Sequence, residues 1–307
     1  MIMKASEKYG SVLMRMTILI LVSFTFLFRY STSVFAQIPD PIPTVELSTR
    51  YPSFLPFFAA PRADRSLGPK LTARSALLYD MDAKRVLLAR DPAARLPVAS
   101  LTKLMTVTVA IESGLPFDRE IPVPPEAVRL EPSKLYLLAR DSLSVRELIL
   151  ASLIASANDA AYTLASALPD ALASMNRKAY ELGLLDTRFA TPTGLDDPGN
   201  YSSAVDIARV FDHALTLPLA AEAMRTRSAT VTSSEGKRYE LDNTDILLGR
   251  QDMDVIAGKT GTTDEAGQCL IVLVRLENGH RVLGVLLGSR SRFPEMRALI
   301  AWAEAAS

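Results

Sequence analysis

Residues 270–289 read LIVLVRLENGHRVLGVLLGS and decide the fold at the C-terminal end of the chain. Two runs rich in Leu and Val flank Asn278-Gly279, and Asn-Gly between apolar runs is the strongest short-range signal for a β-hairpin. The first run begins at Cys269 and predicts a buried strand. The C-terminal part of the chain therefore contains a strand pair, and a buried pair requires further strands beside it and other elements packed on its faces.

Other segments of the sequence predict these further strands and the helices that cover them. Residues 74–80 (RSALLYD) and 85–90 (RVLLAR) predict a second hairpin with a tight turn at 81–84. Further strands are predicted near 227–234, 237–241 and 254–260, and helices near 100–112, 144–155, 158–168, 170–183, 202–216 and 293–304. Strands at both ends of a run of helices predict an α+β fold. We expect one antiparallel sheet built from both ends of the chain, with a helical lobe inserted.

The bulk composition narrows the class of protein. Of the 307 residues, 49% are hydrophobic, which is enough for a substantial core. The 34 Lys and Arg equal the 34 Asp and Glu, so no overall charge draws the chain to nucleic acid, and we expect no nucleic-acid partner. Cys269 is the single cysteine and has no Cys or His at ligand spacing. We expect neither a metal site nor a cofactor.

The first 36 residues have the order of a secretory signal peptide. Lys4, Lys8 and Arg15 precede the apolar run 16–28, and small residues flank Phe35. The run is shorter than the ~20 residues of a spanning helix, so cleavage near Ala36 is favoured over a retained anchor. We expect export to the periplasm and no stable membrane anchor after cleavage. The proline-rich residues 37–70 predict a leader, and 71–307 a single catalytic domain.

Ser100 and Lys103 stand three residues apart in PVASLTKLMT, at the start of a predicted helix. Positions i and i+3 share a helix face, so a hydroxyl and an amine lie side by side. A serine needs a base to become a nucleophile, and a lysine serves as one only when it is held neutral. Taken alone, the pair is better explained by a capping serine and a solvated lysine.

Two more short motifs follow. Ser156 and Asn158 lie between two predicted helices in IASANDAAY, where a proton relay and ordinary helix capping are both possible. Lys259, Thr260 and Gly261 lie in the predicted strand before the final hairpin. Packing does not explain a lysine in an otherwise apolar strand. If this strand lies at a sheet edge, a substrate peptide could pair along it, and Gly261 would allow the peptide to approach closely.

Together the motifs are far more specific than any one alone. They form, in order, the Ser-x-x-Lys, Ser-x-Asn and Lys-Thr-Gly set of penicillin-binding proteins and serine β-lactamases. The stretches ASLTKLMT, LILASLIASANDAA, DTRFATPTGLDDPGNYSSAVDIA and GKTGTTDEAGQCL closely resemble the low-molecular-mass penicillin-binding proteins, the D-Ala-D-Ala carboxypeptidase and endopeptidase family, peptidase family S11. The resemblance spans about 71–303 and implies a β-lactamase/transpeptidase-like fold.

The resemblance also implies a role for each motif residue. Ser100 would be the nucleophile, Lys103 its base, and Ser156 the proton relay to the leaving amine. Asn158 would hold Lys103 and the substrate backbone. Substrate binding would further involve Lys259, Thr260, Gly261 and Thr262, with the backbone N–H groups of Ser100 and Thr262 as the oxyanion hole. The implied partners are peptidoglycan peptides as substrates and β-lactam antibiotics as covalent inhibitors.

Three alternatives remain open at this point. A class A β-lactamase would need a glutamate-activated water, and no Glu-x-x-Leu-Asn pattern follows Asn158, so slow deacylation of penicillin is expected. Endopeptidase is slightly favoured over carboxypeptidase, because the chain stops soon after the last predicted helix and residues 243–247 (NTDIL) resemble the endopeptidases. A carboxypeptidase also needs a cation, which Arg290 or Arg292 could supply. A non-catalytic wall-binding protein is the least favoured alternative.

Overall fold

A five-stranded antiparallel sheet with strand order β2-β1-β9-β8-β7 lies at the centre of the fold in a computed structural model, which describes residues 68–139 and 141–305. The strands are β1 Ser75–Asp80, β2 Arg85–Arg90, β3 Glu120–Pro122, β4 Ser142–Ser144, β5 Ser228–Thr232, β6 Arg238–Asp242, β7 Asp254–Thr263, β8 Gly267–Arg275 and β9 Arg281–Ser289. Because β1 pairs with β9, both ends of the described chain share one sheet, which confirms the predicted α+β layout.

Seven helices occupy the described part of the chain between β2 and β7, and an eighth follows β9. They are α1 Lys103–Glu112, α2 Pro125–Val128, α3 Val145–Leu153, α4 Asn158–Ser166, α5 Ala171–Glu181, α6 Ala204–Leu215, α7 Pro218–Arg225 and α8 Arg292–Ala305. The sequence did not predict α2 and α7, which both begin with a proline in their first turn. Strands β5 and β6 were predicted, but they form a separate two-stranded ribbon.

The main sheet is buried on both faces. Successive strand residues point to opposite faces, so Leu77 and Tyr79 of β1 pack against the helical lobe, whereas Ala76 and Leu78 belong to a second core on the other face. Helix α8 covers that second face with an apolar group of side chains, Met296, Leu299 and Ile300. The result is three layers, with the sheet between α8 and the helical lobe.

Helix α1 is the central element of the lobe. All eight residues from Lys103 to Ala110 are buried, as expected for a helix surrounded by other elements. A short 3₁₀ turn, Ala99–Thr102, leads directly into it and packs against β7. Ser100 therefore lies at the junction between the helical lobe and the edge of the sheet.

The predicted signal peptide (1–36) and nearly all of the predicted leader (37–70) lie outside the described residues. Among the helices within 68–139 and 141–305, none combines the length and the apolar character that a membrane crossing requires.

Candidate active site

The turn that carries Ser100 is held in an unusual backbone conformation. Ala99 has φ +49°, in the left-handed region that residues other than glycine rarely adopt. The turn then passes into α1 and places Ser100 and Lys103 on one face, as the i, i+3 spacing predicts. The Nζ of Lys103 lies 2.7 Å from the Oγ of Ser100. Strained residues of this kind cluster at functional sites, where surrounding contacts hold them.

Two carbonyl oxygens complete the surroundings of the Lys103 amine. Its Nζ donates to Oδ1 of Asn158 at 2.7 Å and to the backbone oxygen of Thr193 at 2.8 Å. The side chain is fully buried. Burial, followed by the positive charge of Lys259, lowers the pKa of Lys103 well below its ordinary value. The amine is thereby favoured in its neutral form, the form that can accept a proton.

Ser156 and Asn158 lie in the connection between α3 and α4. The N-cap of α4 is Ala157, without a side-chain cap, so helix capping does not explain Ser156. Ser156 has φ +57°, and its Oγ accepts a hydrogen bond from Nζ of Lys259 at 2.7 Å. Asn158 is fixed on its other side, because Nδ2 donates to the backbone oxygen of Pro132 at 2.5 Å. This connection therefore contacts both lysines of the motif set.

Strand β7 forms the opposite wall and is an edge strand of the main sheet, as predicted. Lys259 is 1% exposed, and its pKa is lowered to about 7, first by burial and then by the charge of Arg292, against an opposing effect of Asp245. The sequence predicts that Gly261 admits a substrate. The close approach in the structure is to Ser100, since a Cβ at position 261 would stand 2.9 Å from the Ser100 nitrogen.

A cleft of about 220 Å³ unites these groups. Six of the predicted residues line it: Ser100, Ser156, Asn158, Thr260, Gly261 and Thr262. Lys103 and Lys259 lie beneath its surface and reach its hydroxyl groups. A larger hollow of about 860 Å³ lies between α8 and the far ends of β7 and β8, and none of the predicted residues lines it. The chemistry of the motif set is therefore confined to the smaller cleft.

Several groups at the cleft could not be assigned from the sequence. Thr193 contributes only its backbone carbonyl, and a carbonyl leaves no side-chain signal. Arg292 lines the cleft, where its Nη1 donates to the backbone oxygen of Gly261 at 2.9 Å and to the Thr262 hydroxyl. Arg290, the other cation considered, is not among the lining residues.

The histidines lie outside this site. His213 pairs with Glu112 and His280 with Asp80, so both have structural partners. Within the described residues, no three His, Cys, Asp or Glu side chains converge as metal ligands. A hydroxyl next to a neutral amine, with a second hydroxyl and two cations near the same cleft, can perform nucleophilic acyl transfer without a histidine.

Comparisons with known proteins agree with this chemistry. The sequence model of Peptidase S11, D-alanyl-D-alanine carboxypeptidase, matches residues 62–291. The D-alanyl-D-alanine endopeptidase of Pseudomonas aeruginosa is 32% identical over 253 residues, which are 80% of this chain and 81% of the relative. The D-alanyl-D-alanine carboxypeptidase DacA of Haemophilus influenzae is 31% identical over 76% of this chain, which spans 62% of that relative.

Solved structures show the same architecture. A D-alanyl-D-alanine carboxypeptidase from Mycobacterium tuberculosis aligns with a TM-score of 0.72 at 28% identity, covering 80% of this chain and 96% of that one. The Streptomyces K15 DD-transpeptidase aligns with a TM-score of 0.72 at 24% identity, covering 78% of this chain and 99% of that one, which speaks for the fold alone. The β-lactamase/transpeptidase-like fold expected from the resemblance is confirmed.

Proposed function

The chain belongs to the peptidase S11 family and is a serine DD-peptidase, a hydrolase that acts on peptidoglycan peptides; from that premise we propose that Ser100 is its nucleophile and forms an acyl-enzyme with a D-alanyl residue. The observation that carries the proposal is the set of three contacts around the Lys103 amine.

A neutral amine has two N–H donors and one lone pair. The carbonyl oxygens of Asn158 and Thr193 can only accept, so they take the two donors. The remaining contact, 2.7 Å to the Ser100 oxygen, then places the lone pair against the hydroxyl hydrogen. Lys103 is thus arranged as a general base. It removes the proton while the Ser100 oxygen bonds to the carbonyl carbon of the scissile peptide.

Collapse of the tetrahedral intermediate breaks the peptide bond to the leaving amine, which needs a proton. We propose that Ser156, whose hydroxyl contacts the buried Lys259, gives its proton to the leaving amine and receives in return the proton that Lys103 took from Ser100, so that Lys103 is neutral again. The backbone N–H groups of Ser100 and Thr262 would hold the oxyanion, a contribution of several kcal/mol in enzymes of this kind. Water then attacks the ester carbonyl carbon while Lys103 takes its proton. The bond to the Ser100 oxygen breaks as Lys103 passes that proton to it, which restores the Ser100 hydroxyl and the neutral amine.

The end of the cleft near β7 suits a carboxylate. Arg292 and the hydroxyls of Thr260 and Thr262 line this wall, and Lys259 lies just beneath it and is cationic below about pH 7. The leaving residue of a DD-peptidase substrate bears a carboxylate next to its amine, and so does the penicillin nucleus. We assign Arg292 as the cation for this group. β-Lactams would thus acylate Ser100 and remain bound as covalent inhibitors.

The P. aeruginosa relative carries the name endopeptidase, so we propose cross-linked peptidoglycan dimers as the substrate. A carboxypeptidase acting on terminal D-alanine is the alternative, since DacA is almost equally identical. Digestion of purified dimers and of pentapeptide monomers, followed by chromatography, separates the two. Release of monomers supports the endopeptidase, whereas release of free D-alanine alone supports the carboxypeptidase. We also propose export to the periplasm by the N-terminal signal sequence.

The covalent step is tested with a fluorescent penicillin on the purified protein from Gln37 onwards. We expect persistent label on a denaturing gel for the wild type and none for Ser100→Ala. The matched control is Ser113→Ala, which removes a serine hydroxyl at the other end of α1 and should keep the label. Label on the Ser100→Ala variant would contradict the proposed nucleophile. A folded wild type that takes no label and destroys the drug would instead be a β-lactamase.

A further inference from the structure

The turn at residues 243–247 bridges the two walls of the cleft. The backbone nitrogen of Thr244 donates to the backbone oxygen of Ile154, two residues before Ser156. Its side-chain oxygen lies 2.6 Å from the hydroxyl oxygen of Thr260 on β7. Thr244 thereby connects the segment that carries Ser156 with the strand that carries Lys259.

Asp245, the next residue, is buried beneath this bridge and is 2% exposed. Its Oδ1 accepts a hydrogen bond from the backbone nitrogen of Leu247 at 3.0 Å, which closes the turn. Its Oδ2 is buried and has no hydrogen-bond partner among the described residues. That oxygen lies against Gly258, where an added Cβ would stand only 2.2 Å away. The absence of a side chain at position 258 therefore makes room for the carboxyl group.

A buried carboxyl oxygen without a hydrogen-bond partner lowers the free energy of unfolding. A functional role would explain why the chain carries a carboxyl group at this position. We propose that Asp245 is a positioning residue, which holds the turn 243–247 against β7 and so fixes the Thr260 hydroxyl and the Lys259 ammonium that face the substrate's carboxylate. The inference deepens the proposed function and rests on it. Asp245 acts through Thr244 and through β7, without touching the substrate.

Charge supports the same role. Burial lowers the pKa of Lys259 most, and among the charged groups Arg292 from α8 lowers it further whereas Asp245 raises it. Lys259 in turn adds to the effect of burial that lowers the pKa of Lys103 on α1. Burial raises the pKa of Asp245 to about 6, against the hydrogen bond from Leu247 and the charges of Arg292 and Lys259, so the carboxyl group is mostly ionised only above about pH 6. Without that charge, Lys259 would lose its proton at a lower pH.

The test compares Asp245→Asn and Thr244→Val with wild type in the acylation of the full chain by fluorescent penicillin between pH 5 and 9. Asp245→Asn keeps the acceptor for Leu247 and removes the charge. We expect penicillin to bind about three- to tenfold more weakly to both variants, which corresponds to the free energy of a single hydrogen bond. Only Asp245→Asn should also move the alkaline limb of the pH profile to lower pH, by about half a unit or more.

Asp212→Asn is the control, because Asp212 is a half-buried carboxyl whose pKa is also raised by burial, but it lies on α6 outside the cleft. We expect it to leave both quantities unchanged. An Asp245→Asn profile that superimposes on wild type overturns the inference alone, whereas a wild type without label overturns the proposed function as well. If Asp245→Asn does not fold, Thr244→Val decides, and unchanged penicillin affinity in that variant overturns the inference.

Discussion

Gly261 brings strand β7 into contact with the backbone of Ser100. A Cβ on Gly261 would stand 2.9 Å from the Ser100 nitrogen and 3.0 Å from the oxygen of Val98. Real Cβ atoms do not approach backbone nitrogen so closely, so only glycine permits this spacing between the sheet edge and the turn before α1. The distance between the proposed nucleophile and the proposed substrate-binding strand is therefore set at this position.

Gly261→Ala should slow acylation by penicillin about 10- to 100-fold, because displacement of reacting groups by about 1 Å has effects of that size. Gly261 has no positive φ, so alanine fits its backbone conformation and the fold should survive. The measurement is the second-order rate constant for labelling, together with the thermal unfolding midpoint. Gly114→Ala is the control: Gly114 has φ +77° with open space around it, so that variant should lose stability but keep its labelling rate. Equal labelling rates for wild type and Gly261→Ala would contradict the prediction.

Much of this arrangement is predictable from the sequence because it depends on local patterns. The apolar runs at both ends specify the sheet, and Asn278-Gly279 specifies the β8–β9 turn, where Gly279 has φ +88°. Ser100 and Lys103 are three residues apart on one helical face, so their contact follows from spacing alone. The order of the three motifs then identifies the family.

The rest depends on contacts between residues distant in sequence. The Thr193 carbonyl reaches Lys103 across 90 residues, and no side-chain type is needed to make that contact. Asp245 reads as an ordinary turn residue, and only the fold places it against Gly258. The choice between Arg290 and Arg292 depends on where α8 begins, and element boundaries are the least certain part of a sequence-based prediction.

Cys269 should be unreactive in the folded protein. The thiol is fully buried, and burial raises its pKa to about 11, so almost no thiolate exists at neutral pH. We expect iodoacetamide to modify the thiol only after unfolding in denaturant, as measured by mass spectrometry. Cys269→Ala should keep penicillin labelling within about twofold of wild type, because the cysteine has no part in the chemistry. Rapid modification of the native protein, with loss of label, would contradict this prediction.

Asp159 forms hydrogen bonds to the loop that also contacts Asn158. Its carboxylate accepts hydrogen bonds from the backbone nitrogens of Leu135 and Leu137 at 3.0 to 3.2 Å, and the same loop supplies the Pro132 carbonyl that binds Asn158. Asp159→Asn replaces one acceptor oxygen by a donor facing these N–H groups. We expect a loss of about 1–3 kcal/mol in the free energy of unfolding, measured by urea denaturation.

Asp159→Asn should also shift the pH profile of acylation, and the charge of Asp159 predicts the direction of that shift. The negative charge of Asp159 raises the pKa of Lys103, against the larger effect of burial. Its removal lowers that pKa further, so Lys103 stays neutral to lower pH and the acid limb of the acylation profile should move to lower pH. Asp170→Asn, at the exposed N-cap of α5, is the control and should leave the limb unchanged. An acid limb that moves to higher pH would show that Lys103 is not the titrating base.

The buried Lys259 makes stability depend on pH. Its pKa is about 7 in the folded protein, against 10.5 for an exposed lysine. Between these values the unfolded chain holds a proton that the folded chain has released, so the free energy of unfolding rises with pH. We expect the wild-type value, minus that of Lys259→Met, to increase from pH 7 to pH 9 by up to about 1.4 kcal/mol per unit. Lys237→Met removes an exposed lysine and should give a curve parallel to wild type.

Acylation should respond to Lys259 in the opposite sense. The proposed carboxylate contact needs the ammonium form, so penicillin binding should weaken as pH rises through about 7, in the range where the protein gains stability. Lys259→Met should bind penicillin weakly at every pH and show no alkaline limb. If Lys259→Met keeps both the wild-type alkaline limb and a stability curve parallel to wild type, then Lys259 does not titrate in this range, and the limb belongs to another group. If the two pH dependences change together, one buried amine both destabilises the fold and binds the substrate's carboxylate.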